Sequence, residues 1–330
     1  MNGPRKFREW AIVGGLAQIV LLVFLVVAFQ MVSSPAIAAD SACSETSTFA
    51  QKACHNSATE AYNLALGKCE NVAPGDKAAC TAKALDDKKS ALTLCQQQYS
   101  ARQNVCSLLG GGPYNPNLDS SLFVSNPTGN TYFPLADAIY KYKTFAEDGT
   151  VTEKDVVKVT RGTRRILEIT ARVVRDTVTD AETGSVLEDT TDWYAEDIYG
   201  NVWYFGEIAQ QFEDGILVGI EGSWTAGVDG AKPGIVMFAS PQKNVTYRQE
   251  FALGDAEDVA TVVGFVNKLP TLPPGVNLPQ RVHGPFLHTQ DFSALEPGVL
   301  EDKYYAPGVG MVLTVANDGT TDVLVSISGR

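Results

Sequence analysis

The chain has 330 residues, 45% of them hydrophobic, with six cysteines and a formal net charge of −12. Residues 40–108 hold seven Lys/Arg and seven Asp/Glu, so the negative balance falls on residues 109–330. An acidic domain repels phosphate backbones, which argues against nucleic-acid binding, and its charge suits a soluble, secreted protein.

The first segment, residues 1–39, reads as a secretory signal peptide. Arg5, Lys6 and Arg8 form a positive n-region, an apolar run follows from Trp10 to Phe29, and Ala36-Ile37-Ala38 offers an A-x-A site cut after Ala38 or, shifted by one, Ala39. The apolar run of about 20 residues is also long enough to span a bilayer as an uncleaved anchor, which would be the chain's one membrane contact. Asp40-Ser41-Ala42 precede Cys43, so no lipidation box is present there.

Residues 40–109 carry all six cysteines. Positions 43 and 106, 54 and 95, and 69 and 80 each sum to 149, a mirror point inside the turn signal Ala73-Pro74-Gly75-Asp76. Steps of 11 and 15 residues are close to whole α-helical turns, so each arm keeps its cysteines on one side of a helix. Two antiparallel helices then pair Cys43 with Cys106, Cys54 with Cys95 and Cys69 with Cys80. The seam offers Phe49, Tyr62, Leu64, Leu66, Leu85, Leu92, Leu94, Tyr99 and Val105 among many alanines. So thin a core needs its disulfides, and disulfides need an oxidising, secreted or periplasmic compartment. No C-x-x-C occurs, which removes zinc-knuckle, redox and haem-attachment readings.

Residues 110–130, opening with Gly110-Gly111-Gly112-Pro113, read as a linker. From 131 to 330 the period changes to two, which predicts antiparallel β structure. Strands are expected at 139–145, 156–160, 166–178, 192–197, 202–207, 216–224, 234–239, 245–251, 286–289, 299–305, 311–315 and 323–327. Glu147-Asp148-Gly149, Glu182-Thr183-Gly184 and Tyr199-Gly200-Asn201 serve as hairpin turns. Residues 256–268 suit a helix or a strand. The fold class is therefore α+β: a disulfide-braced antiparallel helical hairpin, then a large antiparallel β-meander curled into a half-barrel, barrel or sandwich.

The segments 108–111, 130–135, 172–176, Asp192-Trp193-Tyr194-Ala195-Glu196-Asp197, Gly200-Asn201-Val202-Trp203-Tyr204-Phe205-Gly206-Glu207 and Tyr304-Tyr305-Ala306-Pro307-Gly308-Val309-Gly310 together resemble a family of uncharacterised exported bacterial proteins. More loosely, the β part is similar to curved-sheet envelope proteins of the lipoprotein-carrier type. The resemblance implies export to a bacterial cell envelope and this architecture; it carries over no catalytic residue. Ala136-Asp137-Ala138 departs from the family's pattern at the start of the first strand.

Few residues point to chemistry. No G-x-S-x-G, H-E-x-x-H, Walker-A or EF-hand pattern is present. His55 sits in the hairpin, and His283 and His288 flank Gly284-Pro285 at a spacing that matches no metal motif. Glu188, Asp192 and Glu196 share one strand face by the period of two, with Asp189, Asp197 and Glu207 nearby. Such a face is commonly a solvated surface; it can also bind Ca²⁺, the one cofactor considered, or supply paired carboxylates for hydrolysis. Trp193, Trp203 and Phe205 would line an apolar ligand groove if the sheet closes halfway, or a filled core if a helix or loop covers them. The expected role is a non-enzymatic exported protein whose β domain binds a hydrophobic small molecule or an envelope partner. The alternative is a secreted hydrolase using the Asp/Glu pairs.

Overall fold

A computed structural model describes residues 41–329; the signal-peptide reading of residues 1–39 lies outside them. Two long helices come first, α1 (Ala42–Cys69) and α2 (Lys77–Leu109). Ser41 caps α1 by accepting the Ser44 amide at 3.2 Å, and the chain reverses through the Pro74-Gly75 turn. Disulfides join Cys43 to Cys106, Cys54 to Cys95 and Cys69 to Cys80, with Cα–Cα distances of 5.7, 5.7 and 5.6 Å. Helices normally pack with axes about 8–10 Å apart. Backbones held this close where the cysteines meet leave room only for small side chains. The buried helical positions are Ser47, Ala58, Cys69, Ala84, Cys95, Arg102, Val105 and Cys106; of the apolar residues expected in the seam only Val105 is among them. Phe49 (64% exposed), Leu64, Leu85 and Leu94 face solvent instead. No helix among the described residues is long and apolar enough to cross a membrane.

The middle bridge gives a direct test of how far the hairpin stands alone. Replacing Cys54 and Cys95 together by alanine is expected to cost the hairpin about 2–5 kcal/mol and to leave the β structure folded. Hydrogen exchange would show protection lost in α1 and α2 only; simultaneous loss in the strands would mean that the two parts unfold as one.

A short 3₁₀ turn at Ser120–Leu122 precedes fifteen strands: β1 (Ala138–Phe145), β2 (Val151–Ile166), β3 (Ile169–Asp180), β4 (Val186–Glu196), β5 (Val202–Glu213), β6 (Ile216–Gly219), β7 (Trp224–Thr225), β8 (Lys232–Met237), β9 (Thr246–Arg248), β10 (Glu250–Phe251), β11 (Asp258–Val266), β12 (Phe286–Ser293), β13 (Glu301–Ala306), β14 (Gly310–Ala316) and β15 (Thr321–Ser328). They form one antiparallel sheet in the order β10-β8-β5-β4-β3-β2-β1-β15-β14-β13-β12-β11-β9, with β6 and β7 added to β5. Its two edge strands, β9 and β10, are separated in sequence by Gln249 alone, so the sheet bends round to a nearly closed barrel. Closure removes the unpaired edges that a long open sheet would present.

Two local differences from the sequence pattern have clear causes. The segment 166–178 contains a turn, because Leu167 and Glu168 adopt φ of 50° and 63°; a hairpin turn without Gly or Asn leaves no sequence signal. Residues 256–268 form strand β11, its valines and threonines paired to β12 and β9, as β-branched side chains prefer.

The sheet supports two cores. Inside the barrel, Tyr140, Tyr142, Val159, Val174, Val202, Leu287, Tyr305 and Leu324 pack together. Outside it, Ile169, Ala171, Trp193, Ala195, Phe205 and Trp224 form a second cluster, which Leu118 and Phe123 of the linker cover. The hairpin base docks on the same assembly. Arg102 forms a buried bidentate ion pair with Glu257, at 2.7 and 2.8 Å, and Gln98 donates to the Leu295 carbonyl at 2.9 Å.

Candidate functional site

Alternation along β2 to β5 decides what faces the barrel interior. On β2, Asp155, Val157 and Val159 point inward while Lys154, Val156 and Lys158 are exposed. On β3, Val174 and Asp176 point inward. The register of β4 against β5 slips between Asp192 and Tyr194, so Asp192 and Tyr194 both face the interior and Trp193 and Ala195 face out. Gly206 adopts φ of 124°, and its missing Cβ lets the Trp224-Thr225 backbone approach, the Trp224 carbonyl oxygen lying where a Cβ would clash. Val202 and Tyr204 are thereby inward, Trp203 and Phe205 outward.

The interior holds a cavity of about 340 Å³. Tyr140, Tyr142, Tyr194, Tyr204 and Tyr305 line it with Phe133, Val157, Val159 and Val174, and Asp176, Asp192, Glu250, Asp258 and Lys303 add polar groups. Tyr194 and Tyr204 stack at 4.8 Å with an interplanar angle of 14°, and Phe133 packs on Tyr194 at 4.9 Å. One side of the cavity is therefore aromatic and aliphatic, the other acidic.

The carboxylates are held by specific partners. Asp192 accepts from the Tyr204 hydroxyl at 2.7 Å, Glu250 from the Trp224 indole at 2.7 Å, and Asp291 from Thr289 at 2.7 Å and Gln249 at 3.1 Å. Lys303 pairs with Asp291 at 3.2 Å and with Glu301 at 3.1 Å. Burial opposes the lysine's charge, but these two acids outweigh it and hold its pKa well above the ordinary value. The acids are raised as well, which for a carboxyl disfavours the charged form. Desolvation, then the charges of Asp176 and Glu188, raise Asp192 to about 7 against the pull of the Tyr204 hydrogen bond; desolvation and Asp192 raise Glu207 to about 8. Burial also raises Glu250, Asp258 and Asp322. Asp155 rises through burial and the adjacent Asp176 carboxyl. The Oδ1 atoms of Asp155 and Asp176 are both buried without a hydrogen-bond partner among the described residues.

The structure distributes the sequence-derived candidates differently. Trp193 and Phe205 lie in the outer core and not in the interior cavity; Trp203 packs at its margin, in T-shaped contact with Phe123 at 5.9 Å, and Phe123 meets Phe205 at 5.8 Å. The covering loop leaves no open groove over Trp193 and Phe205, whereas Trp203 lines a cleft beside the hairpin base. Glu188, Asp192 and Glu196 do not converge as a Ca²⁺ site. Residues four apart on a strand are separated by about 13 Å, and each has its own employment: Glu188 accepts from Thr190, Asp192 from Tyr204, and Glu196 from the Thr128 and Gly129 amides of the linker. Among the described residues no group of three or more His, Cys, Asp or Glu is placed to hold a metal ion. His288 lies on the outer face, stacked on Tyr304 and bonded to Asp302 at 2.7 Å. Asp197 is a turn anchor that accepts from Tyr199, Asn201 and the Trp203 indole. Of the tyrosines that line the cavity, Tyr194 and Tyr204 belong to the hairpin that carries Trp193 and Trp203, on its other face, and Tyr140, Tyr142 and Tyr305 come from β1 and β13.

No protein-family model matches the chain, and no curated protein matches it in sequence. Two solved structures are similar in part. A protein described as exported with a YmcC-like fold, from Bacteroides fragilis, aligns over 61% of this chain and 98% of its own at 14% identity and a TM-score of 0.34. A protein described as a lipoprotein, from Parabacteroides distasonis, aligns over 61% of this chain and 100% of its own at 10% identity and a TM-score of 0.29. Superpositions at this level do not establish a common fold. Three disulfides within 64 residues nevertheless mark an extracytoplasmic protein on their own account.

Proposed function

We propose that the barrel is a binding module for a small amphipathic molecule, its apolar body against the tyrosines and valines and a hydrogen-bond-donating head toward the acids. The observation that carries this reading is the 340 Å³ interior cavity with one aromatic and one acidic side, a size and lining typical of ligand sites. Hydrolysis by Asp/Glu pairs of β4 is less well supported. Along β4 the acids stand about 13 Å apart, beyond the roughly 5–9.5 Å at which two carboxylates flank a glycosidic bond; the cross-strand pair Asp192 and Glu207 lies closer, but Asp192 is committed to the Tyr204 hydroxyl.

Native mass spectrometry of the protein purified from its exporting host tests the reading. The expected result is an added mass of a few hundred daltons that disappears on denaturation, and disappears also from Val174→Trp, whose indole would fill the cavity. A bare native mass in the parent, together with no binding of a fluorescent naphthalene probe that Val174→Trp abolishes, would overturn it.

A further inference from the structure

A second cavity, of about 370 Å³, opens outside the barrel, where the hairpin base meets the sheet. Val105 and Leu109 form the helical wall, and Ile235, Phe251 and Leu253 line the opposite one. This is a cleft of ligand-binding size with mostly apolar walls.

Its charged groups are two guanidiniums and one carboxylate. Arg102 is committed to Glu257 through Nε and Nη2. Glu257 is in turn completed by the Gly254 amide at 2.9 Å. Arg248 is different. Its guanidinium lies over the rings of Tyr114 and Phe251, 5.6 and 4.8 Å from their centroids. Among the described residues it makes no hydrogen bond and no ion pair within 4.0 Å.

Aromatic contacts satisfy the faces of a guanidinium but not its edge, where five N–H donors lie in the plane. In this half-buried cleft that edge has no oxygen partner among the described residues and so is open to an incoming oxyanion. The chain as a whole carries a net charge of −12, so acids to pair with this arginine were abundant, and none does. The cation feels the charge of Glu257 without contacting it and is presented to a cavity whose walls are otherwise mostly apolar.

We propose that this cleft binds the oxyanion head of an amphiphile, a carboxylate or a phosphate, with Arg248 recognising the head and the hairpin and sheet walls holding the alkyl chain. The site is independent of the barrel cavity, which is acidic and so unsuited to an anion. A free fatty acid and a lipid phosphate share the required chemistry, and the choice of probe separates them.

The test is calorimetric titration of the full exported protein, disulfides intact, with sodium decanoate, decyl phosphate and decanol, each below its aggregation concentration. The anions are expected to bind, and decanol about tenfold or more weaker, the loss of one charge-assisted interaction. Arg248→Gln should remove that advantage and leave decanol unchanged. Leu109→Trp should block all three, and Val174→Trp in the barrel should block none. A preference for decanoate would indicate a fatty acid, and one for decyl phosphate a lipid phosphate. Should Arg248→Gln fold poorly, Leu109→Trp still reports the location, and the comparison of anion with decanol in the parent reports the charge. Equal affinity for decanol and the anions, anion binding that survives Arg248→Gln, or no binding of either anion would overturn the proposal. Anion binding lost in Val174→Trp but not in Leu109→Trp would place the ligand in the barrel instead.

Discussion

Replacing Arg102 by alanine is expected to destabilise the protein by about 3–5 kcal/mol, because Glu257 would be left as an uncompensated buried charge. The pair is closed to water on both sides: the side chains of Arg102 and Glu257 are 7% and 3% exposed. It joins residues 155 positions apart, and so it is a principal tie between hairpin and barrel. The desolvation cost of such a pair means that its presence adds less stability than its disruption removes. Arg102→Met combined with Glu257→Leu should therefore recover most of what the single change loses. Urea unfolding followed by circular dichroism measures both. A single-variant loss under about 1 kcal/mol would mean that the pair is solvated and that the hairpin is held by other contacts.

Stability is expected to fall as pH rises from about 4 to about 8, the reverse of the usual acid denaturation. Asp192 titrates near 3.8 when unfolded and at about 7 when folded, and Glu207 near 4.5 and at about 8. Between those limits the native state binds more protons than the unfolded state, so the unfolding free energy decreases with pH. The penalty is absent below the unfolded values and complete above the folded ones. For Asp192 alone it amounts to something on the order of 4 kcal/mol. Asp119, Asp148 and Asp180, whose turn hydrogen bonds lower their pKa values, act in the opposite direction but only below the ordinary carboxylate range. Asp192→Asn keeps an acceptor for the Tyr204 hydroxyl and removes the titration. Its melting temperature should match the parent's near pH 3, below the unfolded value of 3.8, and exceed it at pH 8.5. A parent melting temperature that is flat or rising across this window would show the interior acids to be solvated.

The same acids bear on the barrel ligand. A molecule that donates hydrogen bonds to ionised Asp192 or Glu250 would offset the cost of their burial. The pH dependence should therefore flatten when the cavity is filled.

Much of the architecture is local and so was legible in the residues alone. Cysteine spacing along two helices is a matter of rise per residue, and with a turn signal at the mirror point it defines which sulfurs meet. The switch to a period of two, punctuated by Gly-containing turns, defines antiparallel strands in the same way. What local pattern does not carry is which face of a strand becomes the interior, since that depends on what distant segments cover. The Asp192/Tyr194 register slip and the Gly206 bulge set Tyr194 and Tyr204 inward. Phe123 of the linker, some 80 residues before Trp203 and Phe205, made those aromatics an outer core. Closure of the sheet around Gln249, the meeting of Asp155 with Asp176, and the pairing of Arg102 with Glu257 are likewise products of tertiary structure. Each depends on burial and long-range contact, and neither leaves a periodic trace along the chain.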